Sequence, residues 1–255
     1  YQKSIRSGNV EKAKKAVFVI ESKGADSLDP KFFNFFNQAI ENTDKKKFPG
    51  VLAALYKGLG ILEFYRGEIN PAKDAFRNAM QFYLKDRSYR DGAGMAMNLG
   101  VMQEKSGEYD SAIKNYRETI PIFKSLSDAK SLSNVYENIG LVYYRQSEYD
   151  STLLYYKKTD SLLSSYLEPM DMRWVGFYYN KFSVFNAINR QEEGLPMLLK
   201  AFRIAENNNN EYYISKLSSA MSEIYELKGE PDKQYGALLK SKGFFQNRGN
   251  QYENA

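Results

Sequence analysis

The chain has 255 residues, 43% of them hydrophobic, with 36 basic and 31 acidic side chains for a net charge of +5, which is ample for a core under a surface of mixed sign. It contains no Cys and no His, which excludes thiol nucleophiles, disulfides, zinc sites of the usual kinds and imidazole acid–base chemistry. No apolar run approaches the roughly 18 residues that span a bilayer, and the basic runs Lys12, Lys14, Lys15 and Lys45, Lys46, Lys47 are flanked by acids as on solvated helix faces, so neither membrane nor nucleic-acid contact is expected of this segment.

The first residue is Tyr1 rather than Met, from which a removed leader or upstream segment is expected. After the turn at Ser7-Gly8-Asn9, residues Val10, Ala13, Val17 and Ile20 recur at helical spacing. Asn9 is thus a candidate cap and 10–22 an amphipathic helix, the second half of a helical pair. Asp29 and Pro30 open a further helix expected to run to about Asp44, with Phe32, Phe33, Phe36 and Ile40 on one side and its phenylalanines buried against the next helix.

Phe48-Pro49-Gly50 breaks the chain, and from Val51 a regular register begins. Tyr56, Leu59, Gly60, Gly67, Ala72, Phe76 and Ala79 are followed by Ala96, Leu99, Gly100, Gly107, Tyr109, Ala112 and Tyr116, and then by Tyr136, Ile139, Gly140, Tyr143, Tyr149, Thr152 and Tyr156. That order of sizes reads as short antiparallel helices packed face to face, the glycine lying where two backbones approach most closely. Gly60, Gly100 and Gly140 recur at intervals of 40 residues, and one such hairpin cannot bury its apolar face alone, so a stack is required. The fourth unit is read with Tyr179, Phe182 and Ser183 in the aromatic, large and small places, followed by Gly194, Leu198 and Ala201. The fifth is read from Met221, Ser222 and Tyr225 through Gly229 to Leu238 and Ser241. Turn-rich connectors fall at 86–92, 125–128, 168–171 and 206–210. The expected organisation is one all-α domain over 1–245, an α–α superhelix of antiparallel helix pairs. Degenerate helices occupy 1–50, repeats occupy 51–86, 91–125, 131–165, 172–206 and 211–242, and a polar tail follows at 246–255.

These residues resemble the tetratricopeptide repeat, whose pattern has an aromatic, then Leu-Gly, then Tyr, and in the second helix Ala, an aromatic and Ala. The resemblance is best at 53–80, 93–119 and 133–159, weaker at 176–201 and 215–241, and half present at 1–22. The period of about 40 exceeds the usual 34 and would suit HEAT-type repeats, but the turn Gly107-Glu108-Tyr109-Asp110 and its cousin Ser147 to Asp150 resemble the tetratricopeptide inter-helix turn, with longer helices absorbing six extra residues. Phrases such as YYKKTDSLL also resemble the sensor regions that precede a membrane helix and a histidine kinase or DNA-binding regulator in some Gram-negative bacteria, which implies an extracytoplasmic place and an attached output domain.

The resemblance implies a right-handed stack whose concave groove is lined by the first helix of each pair. Carried over place by place, the groove would hold Lys57, Ile61 and Tyr65; Met97, Asn98 and Val101; Glu137, Asn138, Leu141, Tyr144 and Arg145; and Asn180 and Lys181, with Val184 continuing the apolar stripe of Ile61, Val101 and Leu141. Asn at the same place in successive repeats matters because a carboxamide both donates to and accepts from a peptide backbone; the alternative is that Asn98 and Asn138 merely satisfy neighbouring helices or water. The family's chaperone-tail clamp is not retained: Lys57 and Asn98 fit, while Ile61, Asn134 and Asn138 replace its remaining Asn, Lys and Arg. Neighbouring acids such as Glu192 and Glu193 sit on a turn, and the glycines do not cluster as a phosphate loop, so no enzyme and no cofactor is expected. The reading is a non-catalytic interaction or sensing module that binds a protein or peptide segment or a neighbouring domain. The alternatives are a sensor taking a small molecule or oligosaccharide among the tyrosines, and a structural assembly adaptor.

Overall fold

The computed structural model describes residues 30–240 together with 15, 17–20 and 22. The expected cap Asn9, the positions Val10 and Ala13, the helix start at Asp29, Ser241 and the tail lie outside them. The described residues are helical and contain no strand. They form two compact units, one ending at Val142 and the other beginning at Tyr143.

The first unit contains α1 (Pro30–Glu41), α2 (Pro49–Tyr65), α3 (Ile69–Lys85), α4 (Tyr89–Lys105), α5 (Tyr109–Ser125) and most of α6 (Ala129–Arg145). The second contains α7 (Tyr149–Tyr166), α8 (Arg173–Ala187), α9 (Gln191–Asn207) and α10 (Glu211–Leu227), followed by helical residues 231–240. Successive helices pack on one another, α2 on α3, α3 on α4 and α4 on α5 in the first unit, α8 on α9 and α9 on α10 in the second. From α2 to α6 every helix has 17 residues, and three-residue turns join them, so the pair repeats every 40 residues. The six residues beyond the usual 34 are thus shared between the two helices of a pair.

The turns have one construction. A left-handed residue stands second after the end of every helix but α1 and α7: Gly67, Arg87, Gly107 and Ser127 in the first unit, Ser147, Asn189, Asn209 and Gly229 in the second. The next N–H then reaches back five residues, as in Glu68 to the Glu63 carbonyl at 3.0 Å, Ser88 to Tyr83 at 2.9 Å and Glu108 to Gln103 at 2.8 Å. This is the Schellman closure, which satisfies carbonyls the helix end leaves open. Glycine meets the left-handed requirement without strain at 67, 107 and 229; Arg87, Ser127 and Ser147 adopt it with a Cβ present.

Pro49 begins α2, as the break predicts, while α1 ends at Glu41 rather than near Asp44. Asp44 instead organises the turn, its carboxylate accepting from the N–H groups of Lys46 at 2.9 Å and Lys47 at 3.1 Å, which hold it below its ordinary pKa range. Phe36 is fully buried, and Phe32, Phe33 and Phe35 pack partly buried on the same core.

The glycine places are where helices touch. A Cβ built on Gly60 would lie 2.8 Å from the Phe76 ring, and one on Gly100 would lie 2.5 Å from the Tyr116 ring. Both rings are buried, Tyr116 completely. The fourth pair follows a different register from the one expected. Ser147 and Asn189, equivalent turn residues, are 42 apart, so the partner of Gly140 is Phe182 and not Ser183. Val184 correspondingly falls with Leu62, Met102 and Val142 in the core, fully buried. Phe182 fits because Gly194 of α9 stands where Ala72, Ala112 and Thr152 stand elsewhere; a Cβ there would lie 2.8 Å from the Phe182 ring. At the place of Phe76, Tyr116 and Tyr156 the fourth pair has Leu198. Large and small have changed helices.

Charged ties join neighbouring elements, including Lys73 to Glu108 at 2.5 Å and Arg90 to Asp128 at 2.7 Å. Burial alone would raise the Asp128 carboxyl. Hydrogen bonds from the Ser131 N–H at 2.9 Å and hydroxyl at 2.8 Å, with the Arg90 guanidinium, outweigh it and bring its pKa below the ordinary value.

Three outcomes follow from this packing. Gly100→Ala drives a methyl into a ring that has no room to move and is expected to lower unfolding free energy by about 1–3 kcal/mol in denaturant titration. Ser127→Gly relieves the left-handed strain and is expected to raise stability by roughly 1 kcal/mol in the same assay. The depressed Asp128 pKa stabilises the fold above the unfolded value of about 3.9 and ceases to do so as pH falls through the lower folded value. Asp128→Asn is therefore less stable than the parent at neutral pH, and a pH series of denaturant melts shows the difference closing in acid.

Candidate functional site

The face expected to bind is built from the first helices of the pairs. In the first unit, Lys57, Ile61, Met97, Asn98, Val101, Asn138 and Leu141 are half-buried and Tyr65 is exposed. Their spacing of three and four residues along α2, α4 and α6 places them on one stripe of each helix. Lys105 of α4 carries its ammonium 5.5 Å from the Phe64 ring centroid of α2, which brings this stripe of the first pair beside that of the second.

Within the stripe the roles differ. Ile61 and Val101 pack against the core cluster while keeping partial exposure, so they form the floor of the face. Asn98 and Asn138 occupy the same place in α4 and α6, and neither side chain makes a hydrogen bond to the described residues. Glu137 departs from expectation: unlike Lys57 and Met97 at the same place it is buried, 8% exposed, which withdraws its carboxylate from the face. Glu104 is buried too, beside Tyr116, whose phenol is raised in pKa by burial and by that carboxylate.

The second unit has its own portion. Tyr144 meets Tyr149 edge to face, with ring centroids 5.9 Å apart. Arg145 is exposed and Asn180 half-buried. In the corrected register Tyr179 and Asn180 take the places of Met97 and Asn98, so Asn stands at this place in three successive pairs. Lys181 does not belong to the face. Its ammonium bonds Asp160 of α7 at 2.8 Å and lies 5.6 Å from the Phe177 ring centroid, committing it to the packing of α7 on α8.

Sequence reasoning missed two members. Lys216 of α10 carries its ammonium 4.2 Å from the Tyr179 ring centroid, a strong cation–π geometry, and Tyr212 is exposed beside Tyr213, with centroids 5.1 Å apart. Burial first, then Glu223, Tyr144 and Tyr212, raise the Tyr179 pKa. The signal available for Lys216 was the corrected register, which Ser183 obscured.

The arrangement suits recognition. Among the described residues no group of three or more acidic side chains is placed to hold a metal ion, and no helix is long and apolar enough to cross a membrane. The stripe in the first unit carries a hydrophobic floor and carboxamides at a fixed repeat, and that in the second unit carries aromatic and cationic groups.

Residues 93–159 match the model of the tetratricopeptide repeat. No curated protein matches the chain in sequence. In fold it is similar to BtubC (BKLC) from P. vanneervenii, at 19% identity and a TM-score of 0.65, over 82% of this chain and 91% of that one. It is similar also to the Rap conjugation gene regulator of the plasmid pLS20 in complex with the Phr* peptide, at 15% identity and 0.58, over 92% and 73%. A third is a signal transduction ATPase with numerous domains and a tetratricopeptide repeat sensor from Pyrococcus horikoshii, at 14% identity and 0.73, over 95% of this chain and 38% of that one. At such identities the likeness is one of fold, and it agrees with the helical pairs described above. Residues 93–159, the second and third pairs, thus match the tetratricopeptide repeat in sequence, and over most of its length the chain is similar in fold to structures built of helical pairs, among them a tetratricopeptide repeat sensor.

Proposed function

We propose that the chain is a non-catalytic interaction module that holds an extended peptide or protein segment along its first helices, as the sensor or scaffold part of a larger bacterial signalling protein. The observation that carries this reading is the pair of carboxamides Asn98 and Asn138. They sit half-buried on an apolar floor, at equivalent places one repeat apart, and neither is consumed by a hydrogen bond within the described structure. A half-buried amide without a partner is costly to leave dry and rewarding to satisfy; a peptide strand offers a donor and an acceptor at every residue. The Phr* complex of the Rap regulator of pLS20 and the sensor repeats of the P. horikoshii ATPase support peptide capture and sensing as uses of this fold. The resemblance to sensor regions ahead of kinases and regulators favours an extracytoplasmic module with an attached output domain.

Selection of peptides from a random display library against the chain, followed by titration, tests the reading. Selected peptides are expected to bind the Asn98→Ala/Asn138→Ala double variant at least tenfold more weakly, about 1.4 kcal/mol, while its melting temperature stays at the parent value. Undiminished affinity in the folded double variant removes the carboxamides from recognition.

A further inference from the structure

The connection 167–172 between α7 and α8 departs from the three-residue turns found elsewhere in the second unit, and it walls a cavity of about 430 Å³ against α8 and α9. That volume lies within the range of small-molecule sites, roughly 300–1,000 Å³. Leu167 and Met170 form one side, Met170 being exposed. The other side is Trp174 stacked on Tyr178, with centroids 5.2 Å apart and planes at 17°. The connection is fastened at two points: the Trp174 indole N–H donates to the Glu168 carbonyl at 3.1 Å, and the Asn208 amide donates to the Met170 carbonyl at 3.2 Å. The walls are therefore fixed before any ligand arrives.

Lys200 and Arg203 of α9, one helical turn apart, complete the lining, which contains no acidic side chain. Neither makes an ion pair among the described residues. Lys200 lies 5.8 Å from the Tyr178 ring centroid, and Arg203 is exposed. This contrasts with Lys181, Lys228 and Lys240 of the same unit, paired with Asp160, Glu192 and Glu206 at 2.8, 3.0 and 2.7 Å. Two adjacent cations left without carboxylates, at an apolar slot floored by aromatic rings, form a receptor for an anion with a flat apolar body. The Tyr178 phenol, raised in pKa by burial and by the Asp160 carboxylate, is protonated at neutral pH and adds a donor.

We propose that this cavity binds a small aryl carboxylate, its ring against Trp174 and Tyr178 and its carboxylate between Lys200 and Arg203. The site lies wholly in the second unit, apart from Asn98 and Asn138, so it stands or falls independently of the peptide-binding face. The same chemistry is presented by a free aryl acid or by a peptide ending in phenylalanine.

The single tryptophan of the chain supplies the readout. The full chain is titrated with phenylacetate, phenylpropanoate and a short peptide with a free C-terminal phenylalanine, each beside its neutral amide, following Trp174 emission and calorimetric heat. At least one carboxylate is expected to saturate the emission change and to bind tenfold or more tightly than its amide. Lys200→Gln/Arg203→Gln should bring that carboxylate to the affinity of the amide. Binding of the free acids but not the peptide assigns a small metabolite as the source, and the reverse assigns a chain terminus. Absence of a saturable response to all three carboxylates, equal binding of acids and amides, or unchanged affinity in the double variant overturns the proposal.

Discussion

The structure depends on how closely two helices can approach at one place in each pair. A helix 17 residues long presents more side chains to its partner than the shorter helix of a 34-residue repeat, and two such rods stay in contact only if their crossing leaves no gap. In the first two pairs this is met by a glycine facing a buried aromatic ring, Gly60 with Phe76 and Gly100 with Tyr116. The ring fills the volume the missing side chain leaves, and dispersion contacts across that face replace water. The face proposed to bind follows from this crossing, because the rotation of α4 that points Gly100 at Tyr116 also carries Asn98 and Val101 toward partial exposure.

The turns are the second constraint. A left-handed residue closes each helix from α2 to α5 at intervals of 20 residues, from Gly67 to Ser127, which phases these helices identically and lets a side chain recur at an equivalent place. Asn98 and Asn138 are equivalent because the backbone between them contains two identical closures. Sequence variation at the closure, glycine in some and Arg87 or Ser127 in others, shows that the Schellman bonds and the packing beneath them hold the geometry against local preference.

Much of this was legible in the residues. Gly60, Gly100 and Gly140 recur visibly, and Gly107 marks its own turn, because both signals are local and repeated. In the fourth pair two neighbours, Phe182 and Ser183, each satisfy the pattern; the turn residue Asn189 and Gly194, on another helix, reveal which of them faces inward. Lys181 looked like a groove cation because Asp160, its partner 21 residues away, belongs to a different helix. The cavity beside Trp174 was invisible for a related reason. A lone Trp at helical spacing reads as core, which it is, at 5% exposure; the space next to it is created by the path of the connection, and no periodicity encodes that path.

The exchange of large and small residues between α8 and α9 bears on how such a chain can change over generations. Units of one length and one internal pattern can be exchanged, and a unit copied from the second pair into the place of another carries its own glycine, alanine and tyrosine together, so its internal contacts survive the move. A crossover falling inside the fourth pair would join Phe182 to a helix bearing Thr152 or Ala112 in the place of Gly194, setting a ring against a side chain where the existing protein has none. The glycine and ring of each of the first two pairs can thus move together, while Phe182 and Gly194 of the fourth must be kept together, and the cavity on that pair's flank with them.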